Sequence, residues 1–301
     1  LKGLLDHAAL LFDCSGTTET TLEANPDDLT ENYLDGLREA GIDRLSIGIQ
    51  SFDDRCLKLM NRRHTAAQAI GAVRAAQRAG FRNITADLIF GIPGFGGDSL
   101  KRSLDGVLSL GVQHISAYHL TIEPDTAFGR RAARGEFRAV DEEVSEEEFL
   151  TVHDTLTAAG FEHYEVSNYA LPGFRARHNA SYWHGTKYLG IGPAAHSFDG
   201  EERHWNASSV EKYIAGAPAG KEVLTRRDRF NEYVMTALRT AEGIDLEEAA
   251  ARFGAKRLAR MQEEAAPFLR SGTLRIARGR MAPPPEKFLI SDAVIGALFE
   301  T

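Results

Sequence analysis

Short apolar runs alternate with longer stretches of helical periodicity through the first 170 residues. Leu1 to Phe12 reads as an amphipathic helix. Thr20 to Ala24, Arg44 to Gln50, Asn83 to Phe90 and His114 to Ile122 read as strands, and His163 to Tyr169 as a final one. Between them, apolar positions recur every three or four residues over Asp27 to Ala40, Asp53 to Arg78 (with a break near Arg63), Asp98 to Leu110 and Ser145 to Ala159. Gly41, Gly80, Gly111 and Gly160 follow these stretches, as expected of helix stops that need a left-handed residue. Strand–helix alternation predicts an α/β chain with a parallel sheet, either doubly wound or closing into a β/α barrel.

Glu23, Gln50, Asp87 and Thr121 fall near the ends of the predicted strands. Ligand groups gather at that edge in both architectures, and four strands each contributing one polar group point to the mouth of a barrel.

The pattern changes after Tyr169. Residues 171–227 are rich in His, Trp, Tyr and Gly with little periodicity, and are expected to form functional loops. Helical periodicity returns over Arg229 to Thr240, Leu246 to Phe253 and Arg257 to Arg270. A short strand follows at Thr273 to Ala277, then an apolar segment at Phe288 to Phe299. Helices followed by a β-wing predict a small, mainly helical, winged-helix-like C-terminal domain over 228–301. Glu242, Asp245, Glu247, Glu248, Glu263 and Glu264 point it toward packing or partner recognition instead of DNA.

A net charge of −8 argues against a broad nucleic-acid surface, so no nucleic-acid partner is expected. No apolar run reaches the roughly 18 residues of a membrane helix, which leaves peripheral membrane contact at most. Cys14 and Cys56 are too few for a disulfide framework and suit a reducing cytoplasm; both are expected to be buried or half-buried thiols.

Eight strings carry the chemistry: TLEANPDDL (Thr21 to Leu29), RLSIGIQSF (Arg44 to Phe52), LMNRRHT (Leu59 to Thr65), DLIFGIPG (Asp87 to Gly94), SAYHLTIEPDT (Ser116 to Thr126), GFEHYEVSNYALPG (Gly160 to Gly173), RHNASYW (Arg177 to Trp183) and YLGIGPAAHS (Tyr188 to Ser197). In order and spacing they resemble the oxygen-independent coproporphyrinogen III oxidase family of radical S-adenosylmethionine proteins, nearest its haem-chaperone branch, HemW. The resemblance implies a partial parallel (β/α) barrel of radical SAM type over 1–170, without its first two strand–helix units. An aromatic, His-rich extension over 171–227 and the C-terminal domain follow it.

It implies S-adenosylmethionine bound through Glu23, Gln50, Arg62, Asp87, Thr121 and His196, with Arg63 the alternative to Arg62 for the ligand carboxylate. It implies haem bound through His178, Asn179 and Tyr182 of the HNxxY motif, His178 ligating the iron from a loop. His64, by contrast, is expected to be a solvated polar residue. The family's [4Fe–4S] cluster sits on a Cys-x3-Cys-x2-Cys loop. That loop is expected in the full-length protein before Leu1, so residues 1–301 by themselves are expected to perform no radical chemistry.

Three functions follow. A haem chaperone would deliver haem to apo-haemoproteins. A radical oxidase would decarboxylate coproporphyrinogen III in porphyrin biosynthesis. An unrelated β/α-barrel enzyme would want a Gly-rich phosphate loop after a late strand, which the chain does not show.

Overall fold

The computed structural model describes residues 1–300 and divides into two compact units, 1–177 and 178 onward. The first unit opens with α1 (Lys2–Leu11), none of whose residues is buried. Then come β1 (Thr21–Ala24), α2 (Glu31–Glu39), β2 (Arg44–Gln50), α3 (Asp54–Leu59), α4 (Ala66–Arg78), β3 (Asn83–Phe90), α5 (Asp98–Ser109) and β4 (His114–His119). α6 (Ala127–Ala133), α7 (Glu142–Ala158), β5 (Glu162–Glu165) and β6 (Asn168–Ala170) complete it.

The six-stranded sheet runs β1-β2-β3-β4-β6-β5, and its first four strands are parallel. β2, β3 and β4 are Ile-, Leu- and Ala-rich because the sheet is covered: α4, α5 and α7 pack against β2, β3 and β4. Leu45, Ile47, Ile49, Ile84, Ala86 and Ile115 are almost wholly buried. The expected glycine stops hold, with φ between +64° and +92° at Gly41, Gly80, Gly111 and Gly160.

The break expected near Arg63 is present, and the stretch Asp53 to Arg78 is two helices. Asp53 caps α3, Thr65 caps α4 through a capping box with Gln68, and residues 60–65 turn between them. His163 to Tyr169 is a tight hairpin, with Val166 and Ser167 between β5 and β6. β6 runs antiparallel to β4, so the sheet is not parallel throughout. Residues 163–165 and 168–170 are all buried, so alternation could not reveal the reversal. Of the cysteines, Cys56 is buried as expected, whereas Cys14 is exposed, against the expectation.

The second unit begins within α8 (Arg177–Trp183), so the HNxxY residues lie on a helix and not on a loop. The apparent loops beyond it contain an antiparallel sheet of β7 (His196–Phe198), β8 (Glu202–Trp205) and β9 (Gly220–Val223), with α9 (Val210–Ile214) between β8 and β9. These strands have three or four residues each and carry His, Arg and Glu, too short and polar for periodicity to report.

α10 (Arg226–Ala237), β10 (Ile244–Asp245), α11 (Leu246–Phe253), α12 (Ala255–Ser271), β11 (Arg275–Ala277), β12 (Arg280–Ala282) and α13 (Ser291–Leu298) follow. β10, β12 and β11 form a small antiparallel wing beside a core of Phe230, Val234, Leu238, Met261, Leu274 and Ile295.

Candidate functional site

β1, β2 and β3 bring one set of polar side chains together. Glu23 is in register with Ser46, and Ser46 Oγ donates to Asp87 Oδ1 at 3.1 Å. Ser116, in register with Asp87 on β4, also bonds that carboxyl. Burial is the main influence on Asp87 and, with the neighbouring Glu23 carboxylate, pushes its pKa up to about 7; the serine hydroxyls oppose that shift. Asp87 lies in the middle of β3 and not at its end, one layer below the rim.

Gln50 ends β2 with φ of +69°, an uncommon conformation for a residue with a side chain. Its amide folds back over Gly48: a Cβ there would lie 2.7 Å from Gln50 Nε2, and the same spot is 3.9 Å from Asn25 Oδ1. Gly48 therefore leaves the room that Gln50 occupies.

The two adjacent arginines separate cleanly. Arg62 is half-buried and reaches Asn25 Oδ1 at 3.5 Å, beside the end of β1. Arg63 points to solvent and pairs with Asp27 at 2.8 Å. His64 is not solvated. It is buried, with Nε2 3.1 Å from the Ile49 carbonyl, and ties the α3–α4 turn to β2. Thr121 lies beyond β4 in exposed coil.

Beneath this cluster Arg44 is fully buried, donating to Asn83 Oδ1 at 2.9 Å, Thr85 Oγ1 at 2.8 Å and the Phe174 carbonyl at 3.2 Å. Glu19 supplies its counter-charge at 3.5 Å.

In the second unit, α8 puts His178 and Tyr182 one turn apart on one face. Tyr182 Oη lies 3.1 Å from His178 Nε2, with the rings edge to face. Tyr188 packs edge-on against Tyr182 at 4.9 Å between centroids. His178 is exposed and Asn179 half-buried. His196 stands at the start of β7, exposed and 6.1 Å from the Trp205 ring. It belongs to the second unit, whereas the other five residues of its expected set belong to the first.

Sequence reasoning missed Ser46, Ser116 and Asn25, which bond the expected residues. Ser46 and Ser116 lie inside strings already singled out, on the same face as Asp87, but single serines in strands carry no signal without register.

The residues present do not suit an iron–sulfur cluster. Three thiolates are needed, and the chain has an exposed Cys14 and a buried Cys56. No cluster of three potential metal ligands occurs among the described residues. The donor set of Glu23, Gln50, Arg62 and Asp87 does fit an amino-acid nucleoside, with a cation for the carboxylate and a carboxylate for ribose hydroxyls. No helix among the described residues is long and apolar enough to cross a membrane.

Residues 4–107 match the family model of the radical SAM superfamily, and 224–289 that of the HemN C-terminal domain. The chain is 37% identical to the haem chaperone HemW of Mycobacterium tuberculosis over 99% of its own length and 76% of that protein. It is 35% identical to HemW of Lactococcus lactis, over 84% of this chain and 68% of the relative. Among solved structures, coproporphyrinogen III oxidase (HemN) of Escherichia coli superposes with a TM-score of 0.78 at 20% identity, covering 93% of this chain and 69% of that one. At that identity the likeness is one of fold.

Proposed function

The chain belongs to the HemW haem-chaperone family of radical SAM proteins, and from that premise we propose that it holds haem iron through His178 and hands the haem to apo-haemoproteins. The observation that carries the residue assignment is the His178–Tyr182 pair. A helix presents an exposed imidazole whose Nε2 meets a tyrosine hydroxyl at 3.1 Å. In the tautomer with its proton on Nδ1, Nε2 accepts from that hydroxyl and carries the lone pair that iron would take. Asn179, beside it, is a neighbouring polar group for the bound haem.

In the first unit, Arg62, Glu23, Gln50 and Asp87 would hold S-adenosylmethionine, with Thr121 beside the adenine. Arg62 would take the carboxylate and Asp87 the ribose. The cluster chemistry of the family requires thiolates beyond Cys14 and Cys56. A reducing cytoplasm suits this activity, and the free thiols of Cys14 and Cys56 support that placement.

Relatives 33–37% identical carry the chaperone name, whereas the likeness to the oxidase is one of fold alone, which favours chaperone function over decarboxylation. The test is haem titration of the full-length protein. The wild type should give a Soret band typical of nitrogen ligation, and His178→Ala should remove it while circular dichroism stays unchanged. An unaltered spectrum and affinity in His178→Ala would overturn the ligand assignment.

A further inference from the structure

A cavity of about 520 Å³ opens within the second unit, in the size range of small-molecule sites. Tyr182, Tyr188 and Tyr233 of α10 are among the residues that line it. Tyr182 is the residue whose hydroxyl contacts His178, so one lining residue of the cavity touches the imidazole of the HNxxY helix.

Its charges are unequal in availability. Four arginines and three glutamates line it, leaving a slight positive excess. Arg203 is held between Glu222 at 3.0 Å and Glu232 at 2.9 Å. Arg252 bonds Glu248 at 2.8 Å and lies over the Tyr233 and Phe253 rings. Arg280 bonds Asp245 at 3.1 Å. Arg229 differs: its acid, Glu201, is 3.7 Å away and 79% exposed, too distant for a hydrogen bond. A planar guanidinium at a cavity wall, held by no short ion pair, is suited to bidentate capture of a carboxylate.

We propose that this cavity seats the propionate edge of the tetrapyrrole, with Arg229 binding a propionate carboxylate while Tyr182 and Tyr188 flank the macrocycle. The inference rests on haem being the cargo, but not on His178 being the iron ligand. The ligand class is a flat apolar ring bearing carboxylates, and the recognition it assigns is independent of the metal.

That independence supplies the test. Full-length wild type, Arg229→Gln, Arg229→Lys and His178→Ala are titrated with haem, with metal-free protoporphyrin IX and with its dimethyl ester. Arg229→Gln should weaken haem and protoporphyrin IX about tenfold, the usual worth of a charge-assisted contact, and leave the ester unchanged. Arg229→Lys should recover most of the loss. His178→Ala should weaken haem alone.

Equal affinity of Arg229→Gln and wild type for both free acids would overturn the inference. So would an equal loss for acid and ester, which would mark a folding defect in place of carboxylate recognition. If haem affinity depends on His178 but not on Arg229, the chaperone reading stands and the cavity assignment falls. If no porphyrin binds the wild type, both fall.

Discussion

Tyr182 Oη and His178 Nε2 lie 3.1 Å apart on the exposed face of α8, so the nitrogen proposed to take iron is already engaged by a hydroxyl. Iron must displace that hydroxyl. Tyr182→Phe should therefore speed haem association and keep the nitrogen-ligated spectrum, changing affinity by less than about tenfold, the worth of one neutral hydrogen bond. Stopped-flow mixing with haem checks this. A Tyr182→Phe protein that loses the nitrogen-ligated band would show that tyrosine, not histidine, sets the coordination.

Asp87 gives a pH-dependent prediction. Its folded pKa is raised to about 7, chiefly by burial. A raised carboxyl contributes stability that is full below the unfolded pKa of about 4 and is lost as pH climbs toward 7. Asp87→Asn removes the charge, so it should match wild type near pH 4 and exceed it by roughly 1–3 kcal/mol at pH 8. Thermal melts across that range provide the measurement. A stability difference that does not grow with pH contradicts the burial argument.

Arg62 and Arg63 should behave oppositely toward S-adenosylmethionine. Arg62 faces the end of β1, and Arg63 faces solvent on Asp27. In the full-length protein, Arg62→Ala should weaken binding about tenfold or more by calorimetry, and Arg63→Ala should change it little. The reverse order would transfer the carboxylate contact to Arg63.

His64→Ala should destabilise the first unit by about 2 kcal/mol, since it deletes a buried ring and its bond to the Ile49 carbonyl. Chemical denaturation tests it, with haem spectra unchanged. A neutral result would mean that the α3–α4 turn does not depend on this tie.

Arg44→Met should cost more, about 3–5 kcal/mol, because Asn83, Thr85 and the Phe174 carbonyl lose their donor and Glu19 its counter-charge. Methionine of similar length limits the cavity, so a loss below about 1 kcal/mol would show that this network is dispensable.

Local patterning determined much of this protein. The runs at residues 44–50 and 83–90 are strands in which every second side chain (Leu45, Ile47 and Ile49; Ile84, Ala86 and Leu88) is apolar and buried while Arg44, Ser46, Thr85 and Asp87 take the other face, and the stretches between them are helices because their apolar positions recur every three or four residues. Strings whose order and spacing resemble a family also singled out Glu23, Gln50, Arg62 and Asp87 as candidate ligand groups. What local pattern cannot carry, the tertiary structure decided. β5 and β6 reverse between buried residues, where no alternation marks the turn. His64 is buried because a turn folds it onto Ile49, fifteen positions away. Which of two adjacent arginines faces the site depends on where Asp27 and Asn25 stand, and that is set by the pairing of β1 with β2. The cavity is assembled from residues between 182 and 280. Its charge balance exists only after those segments meet, because which arginine lacks a short ion pair is a property of distances and not of composition.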